Sequence, residues 1–154
     1  MAIASEGPTA PRGLRIVFWA LVAAFALLVL TVLLPDVRGL MRLVFLPLMA
    51  LCFLLGLALL ILAVRWRQVG LLRTFWILVG ASTAGFGAGS VLHNAFYALG
   101  TVTGDWPILH AAMHGLEVAF FVLAVLICPI AFLVGTIGAV VVIVRRGGPT
   151  ASTA

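Results

Sequence analysis

The chain has 154 residues, of which 65% are hydrophobic and only 8% charged, and its mean hydropathy is +1.34. These values exclude an ordinary soluble domain and place the chain among integral membrane proteins. The formal charge of +5 does not indicate nucleic acid. All nine basic residues are Arg, they stand at the ends of apolar runs, and no basic patch interleaved with aromatics exists to grip a phosphate backbone.

In chain order, residues 1–11 are small, polar and Pro-containing and read as a disordered tail. A single membrane domain then covers 12–146. Arg12 and Arg15 precede a first span over 16–34, nineteen apolar residues and long enough to cross a bilayer core. No small-residue cleavage site precedes Pro35-Asp36, so the run reads as a retained span and not a signal peptide. Its Leu, Val, Ala and Phe surface is expected to face lipid. The second span covers 43–64, with Pro47 in its first turns, where proline is tolerated. Arg65, Arg67 and Arg73 bracket the next loop, and Trp66 and Trp76 suit the aromatic belt at the membrane surface.

The third span, 74–99, is rich in small residues. Ser82, Gly85 and Gly89 lie close to one line along the helix, a small-xxx-small seam that lets a neighbouring backbone approach closely. This seam packs helices within the chain or docks a partner span. The last apolar stretch, 107–144, is 38 residues, or roughly 57 Å if straight at 1.5 Å per residue, well beyond a core of ~30 Å. Asp105-Trp106-Pro107 looks like a helix start with an acidic cap, and Pro129, Gly135 and Gly138 are places to kink or break. Residues 147–154 read as a second disordered tail. Cys52 and Cys128 fall within apolar runs and read as buried free thiols.

The expected architecture is all-α: an antiparallel four-helix bundle in a bacterial plasma membrane. The arginines cluster at the two termini and in the middle loop, so both termini are placed in the cytoplasm by the positive-inside rule.

Nearly all the polar chemistry inside the apolar runs lies on either side of the Gly100–Trp106 turn. Ser90, His93, Asn94 and Tyr97 share about a third of one helix; His110, His114 and Glu117 share a face of the other. Folding the hairpin between Thr103 and Gly104 brings His93 level with His114, Ser90 with Glu117 and Tyr97 with His110. Glu117 is the one acidic residue well inside an apolar run, and an ionised carboxylate there must be paired or shielded.

Three chemistries suit this set. The specific expectation is a transition metal (Zn, Cu or Fe) in the outer half of the membrane, with imidazole and carboxylate ligands His93, His114 and Glu117 and His110 as a fourth, supported by Ser90, Asn94 and Tyr97 as hydrogen-bond partners. Haem b between His93 and His110 or His114 fits less well, because adjacent helices ~8–10 Å apart leave little room for a porphyrin. A proton path through Glu117 finds no polar residues continuing inward past Phe121. Against these stands a structural reading: a hydrogen-bonded clamp in a non-catalytic subunit whose Gly/Ala seam packs a membrane partner or a second copy. No catalytic residue set is identified.

Ser90, His93, Asp105 and His110-xxx-His114 resemble the polar set of the alkaline ceramidase and adiponectin-receptor group, membrane hydrolases with Ser, Asp and three His around zinc. The resemblance covers some 25 residues. Those proteins distribute the set over seven spans, whereas here it comes from one hairpin with Asp105 in its loop. Leu92-His93-Asn94, the run Glu117 to Phe121 and the run Cys128 to Gly135 look like small bacterial four-span membrane proteins, a likeness that implies no activity.

Overall fold

The computed structural model describes residues 11–33, 38–67 and 70–147; apart from Pro11 and Gly147 the two expected tails lie outside them, and of the loop expected over 36–42 residues 36 and 37 do, while Arg38–Arg42 are helical and not loop. The described residues are all-helical. Helix α1 is Arg12–Leu33, α2 Arg38–Arg65, α3 Leu71–Val102, α4 Pro107–Val122 and α5 Cys128–Gly147, with a π-helical turn, Leu123–Ile127, joining the last two. Four stretches are long and apolar enough to cross a membrane: Arg12–Thr31, Val44–Arg65, Leu71–Val102 and Pro107–Arg145.

Buried positions recur at three- and four-residue spacing, so each helix turns one stripe inward. On α1 the stripe is Leu14, Phe18, Leu21, Ala24 and Leu28; on α2 it is Leu48, Cys52, Leu59 and Ala63; the last helical stretch contributes Ala124, Cys128, Phe132 and Ala139. Thus α1 presents only part of its surface outward and packs a full stripe into the bundle. Helix α3 is the central element, with α2 on one side and α4 and α5 on the other. Its small residues make this possible. A methyl at Gly80 would stand 2.7 Å from the backbone nitrogen of Leu60 and 2.9 Å from the carbonyl oxygen of Gly56, so α2 and α3 touch backbone to backbone there. In lipid, where apolar burial gives no net drive, such close packing is a main source of association.

Trp76 does not point outward as an aromatic-belt residue would. It is fully buried, with Trp66 at 5.5 Å and Phe18 at 6.1 Å between ring centroids, and its indole N–H has no hydrogen-bond partner among the described residues. The helical face that carries Trp76 also carries Leu72 and Val79, which are buried too; the aromatic-belt expectation judged it by chain position alone. Cys52 and Cys128 are free and buried, as expected.

The long last stretch is continuous but not uniform. Proline has no N–H to offer the carbonyl four residues back and its ring crowds that group, here Val125. The turn before Pro129 widens instead, and the Cys128 N–H reaches the Leu123 carbonyl five residues away. The other end of the hairpin also departs from expectation. Asp105 caps nothing: Trp106 is the residue preceding α4, without a side-chain cap, and Pro107 opens the helix.

Candidate functional site: the α3–α4 hairpin

Helix α3 runs three residues beyond the expected Leu99, through Gly100, Thr101 and Val102. It stops where Thr103 folds its N–H and hydroxyl back onto the Leu99 carbonyl, at 3.1 and 3.0 Å. This extension moves the fold axis of the hairpin toward Asp105 and shifts every rung by one turn. His93 does not meet His114; its Nδ1 lies 3.2 Å from the backbone oxygen of Glu117. His110 does not meet Tyr97; its Nδ1 lies 3.0 Å from the backbone oxygen of Gly100. Three residues is the offset in both cases.

The histidines therefore reach across the hairpin in opposite directions. A carbonyl oxygen can only accept, so each Nδ1 carries the proton and donates it. In the neutral ring that leaves Nε2 with a free lone pair. The third histidine stays on its own helix. His114 donates from Nδ1 to Glu117 Oε2 at 3.0 Å, an i,i+3 pair in which the imidazole is 68% exposed and the carboxylate side chain 17%. Glu117 thus sits between two imidazoles, one on its backbone and one on its side chain.

The residues expected to support a metal act locally. Ser90 Oγ donates to Phe86 O at 2.8 Å, and Asn94 Nδ2 to Ser90 O at 2.7 Å. Such back-bonding satisfies a hydroxyl or amide within a helix and needs no ligand. Tyr97 is exposed. Among the described residues no three His, Cys, Asp or Glu side chains converge as a metal site requires. His93, His114 and Glu117 come together, but as two contacts on different groups of Glu117; His110 belongs to the next rung toward the turn.

Aromatic pairs missed by sequence reasoning accompany the histidine contacts. Phe96 and Phe120 stack almost parallel, centroids 5.5 Å apart, and the His93 ring lies 5.3 Å from that of Phe121. The sequence carries the signal, since Phe96 follows His93 and Phe120 follows Glu117 by three residues each.

Below the histidines the small-residue seam is occupied by the chain itself. A methyl at Gly85 would lie 3.1 Å from Cys128 Sγ, and one at Gly89 would lie 3.1 Å from Ala124 Cβ. Ser82 is buried and donates to Val79 O at 3.0 Å. The seam thus receives the widened turn and the start of α5, leaving no groove at Gly85 and Gly89 for a foreign helix.

No family model, no curated protein and no solved structure matches this chain.

Proposed function

We propose that this chain is a non-catalytic structural or assembly protein, built as an antiparallel four-span bundle with both termini on the cytoplasmic side of a bacterial plasma membrane. Its polar residues serve to clasp α3 to α4. The order of contacts supports the alternating directions: rising α3 positions 80, 83 and 87 meet falling α2 positions 60, 56 and 53, and α3 positions 75, 79, 85 and 89 meet 138, 135, 128 and 124. Arg12, Arg15, Arg65, Arg67, Arg73, Arg145 and Arg146 then fall at one end, which favours the cytoplasm for that end.

The observation that carries the functional reading is the reciprocal pair of histidine contacts. Each of two neighbouring helices sends one imidazole to the other's backbone carbonyl, which fixes register without any ligand. Elemental analysis of purified protein tests it. The clasp predicts folded, metal-free wild-type protein.

A second reading is favoured by the anchoring of the rings. Histidine ligands characteristically donate their other N–H to a carbonyl or carboxylate, and all three imidazoles here do so, leaving Nε2 free on each. On this reading a zinc, copper or iron ion is held by His93, His114 and Glu117, with His110 assisting after side-chain rearrangement. Stoichiometric metal that disappears in both His93→Ala and His114→Ala replaces the clasp with this reading; a haem absorption band would point to haem b.

A further inference from the structure

We infer that the α3–α4 hairpin stands out of the hydrocarbon layer, on the side opposite the arginine-rich end, and carries the histidine cluster to the water boundary. Only the choice of side rests on the orientation proposed above.

The argument starts from a ruler. A hydrocarbon core of ~30 Å takes about 20 helical residues. On α2, Arg42 and Arg65 bracket 22 apolar residues, Leu43 to Val64, which matches one core thickness. Helix α3 has 32 residues and the last span 39. Counted from Arg73, about 20 residues of α3 end near His93. The α2–α3 contacts give nearly the same level independently. Gly56 lies beside Thr83 and Phe53 beside Gly87, so Leu43, the last apolar residue before Arg42, falls abreast of about Tyr97 at equal rise per residue. The outer edge of the core therefore crosses α3 between His93 and Tyr97. It crosses the partner helix near Glu117, which His93 touches.

What remains of α3 above that edge is about 7–14 Å of helix at 1.5 Å per residue. The headgroup layer on one face is only ~5–8 Å thick, so the hairpin passes through it into water. On the outer end of α3, Ser90, Asn94, Tyr97 and Thr101 form a polar line at i, i+4, i+7 and i+11, of which the last three are exposed, beside exposed Val91, Leu99 and Val102. Below Ser90 the exposed face of α3 holds only Ala88, Ala81 and Thr74 beside its first residue, Leu71. Helix α4 has no buried residue at all, and α3 is its only extensive neighbour apart from the π-helical turn that continues it. It lies outside the core formed by the other helices. A ligand of His110 or His114 accordingly arrives from the aqueous phase and not through lipid.

Single cysteines introduced into the otherwise native chain test this, because Cys52 and Cys128 are buried and wild type supplies the blank. A membrane-impermeant maleimide needs the thiolate, which forms in water and not in hydrocarbon. Applied outside intact cells, it is expected to modify Tyr97→Cys, Thr101→Cys and Ala111→Cys. Ala88→Cys and Val134→Cys, also exposed on the protein surface but inside the core layer, are expected to react only after denaturation. Protection of all five alike overturns the inference. Modification of the same three only in inverted vesicles upholds the protrusion and overturns the orientation.

Discussion

His93 on α3 and His110 on α4 are reciprocal: each gives its Nδ1 proton to a backbone carbonyl of the helix that carries the other. Hydrogen bonds between spans are worth on average ~0.6 kcal/mol and at most ~1.7. His93→Phe and His110→Phe are each expected to lose that much in a reversible detergent unfolding titration. His114→Phe is expected to lose less, because its bond stays within α4 and its ring is exposed. Equal losses at all three positions would mean that the bonds across the hairpin carry no special weight.

The glycines separate into packed and open positions. At Gly80 a methyl meets α2 backbone atoms that cannot swing aside, so Gly80→Ala is expected to cost about 1–3 kcal/mol by overpacking. At Gly115 a methyl meets nothing within 4 Å, and Gly115→Ala is expected to stabilise α4 by about 0.5–1 kcal/mol through reduced chain entropy. The same unfolding titration reads both, and their opposite signs are the prediction.

Arg73 joins the start of α3 to the end of α2. Its Nε donates to Ala63 O at 3.0 Å and its terminal nitrogen to Val64 O at 3.1 Å, covering carbonyls that the end of α2 leaves without an intrahelical partner. Arg73→Ala is expected to cost about 1 kcal/mol. Arg73→Lys should recover part of this, since an ammonium can serve one carbonyl but lacks the planar fork.

Pro129 has no amide hydrogen to offer Val125 O, and the turn that precedes it, Leu123–Ile127, is widened. In Pro129→Ala an amide hydrogen becomes available to Val125 O. The turn is then expected to tighten, with slower hydrogen exchange over residues 123–129. Because losing the extra residue of the π turn rotates α4 by about 100° relative to α5, the variant should also weaken the His93 contact. Unchanged exchange would assign the bulge to its packing against Gly85 and Gly89.

The four spans were legible because hydropathy and length act residue by residue, and the burial of Cys52 and Cys128 follows from the same signal. The hairpin register was not. It depended on whether Gly100, Thr101 and Val102 would stay helical, and the cap that decides it, Thr103 on Leu99, is formed by a hydroxyl that sequence treats as an ordinary loop residue. An error of three residues there moved His93 from His114 to the Glu117 backbone. Trp76 was misread for a related reason: aromatic content near an arginine suggests a membrane surface, but only the packing of Phe18 and Trp66 around it decides which way the ring points.

The register of the hairpin is the central claim, and a disulfide measures it directly. A Cβ at Gly100 would lie 3.9 Å from the Met113 Cβ, within the ~3.5–4.5 Å that a disulfide spans. After mild oxidation, denaturation and alkylation, Gly100→Cys/Met113→Cys is expected to show two free thiols instead of four, the native Cys52 and Cys128 accounting for both. Tyr97→Cys/His110→Cys, the pair that a hairpin folded between Thr103 and Gly104 would join, is expected to keep all four. The opposite pattern, with the second pair closing and the first remaining open, would contradict the account.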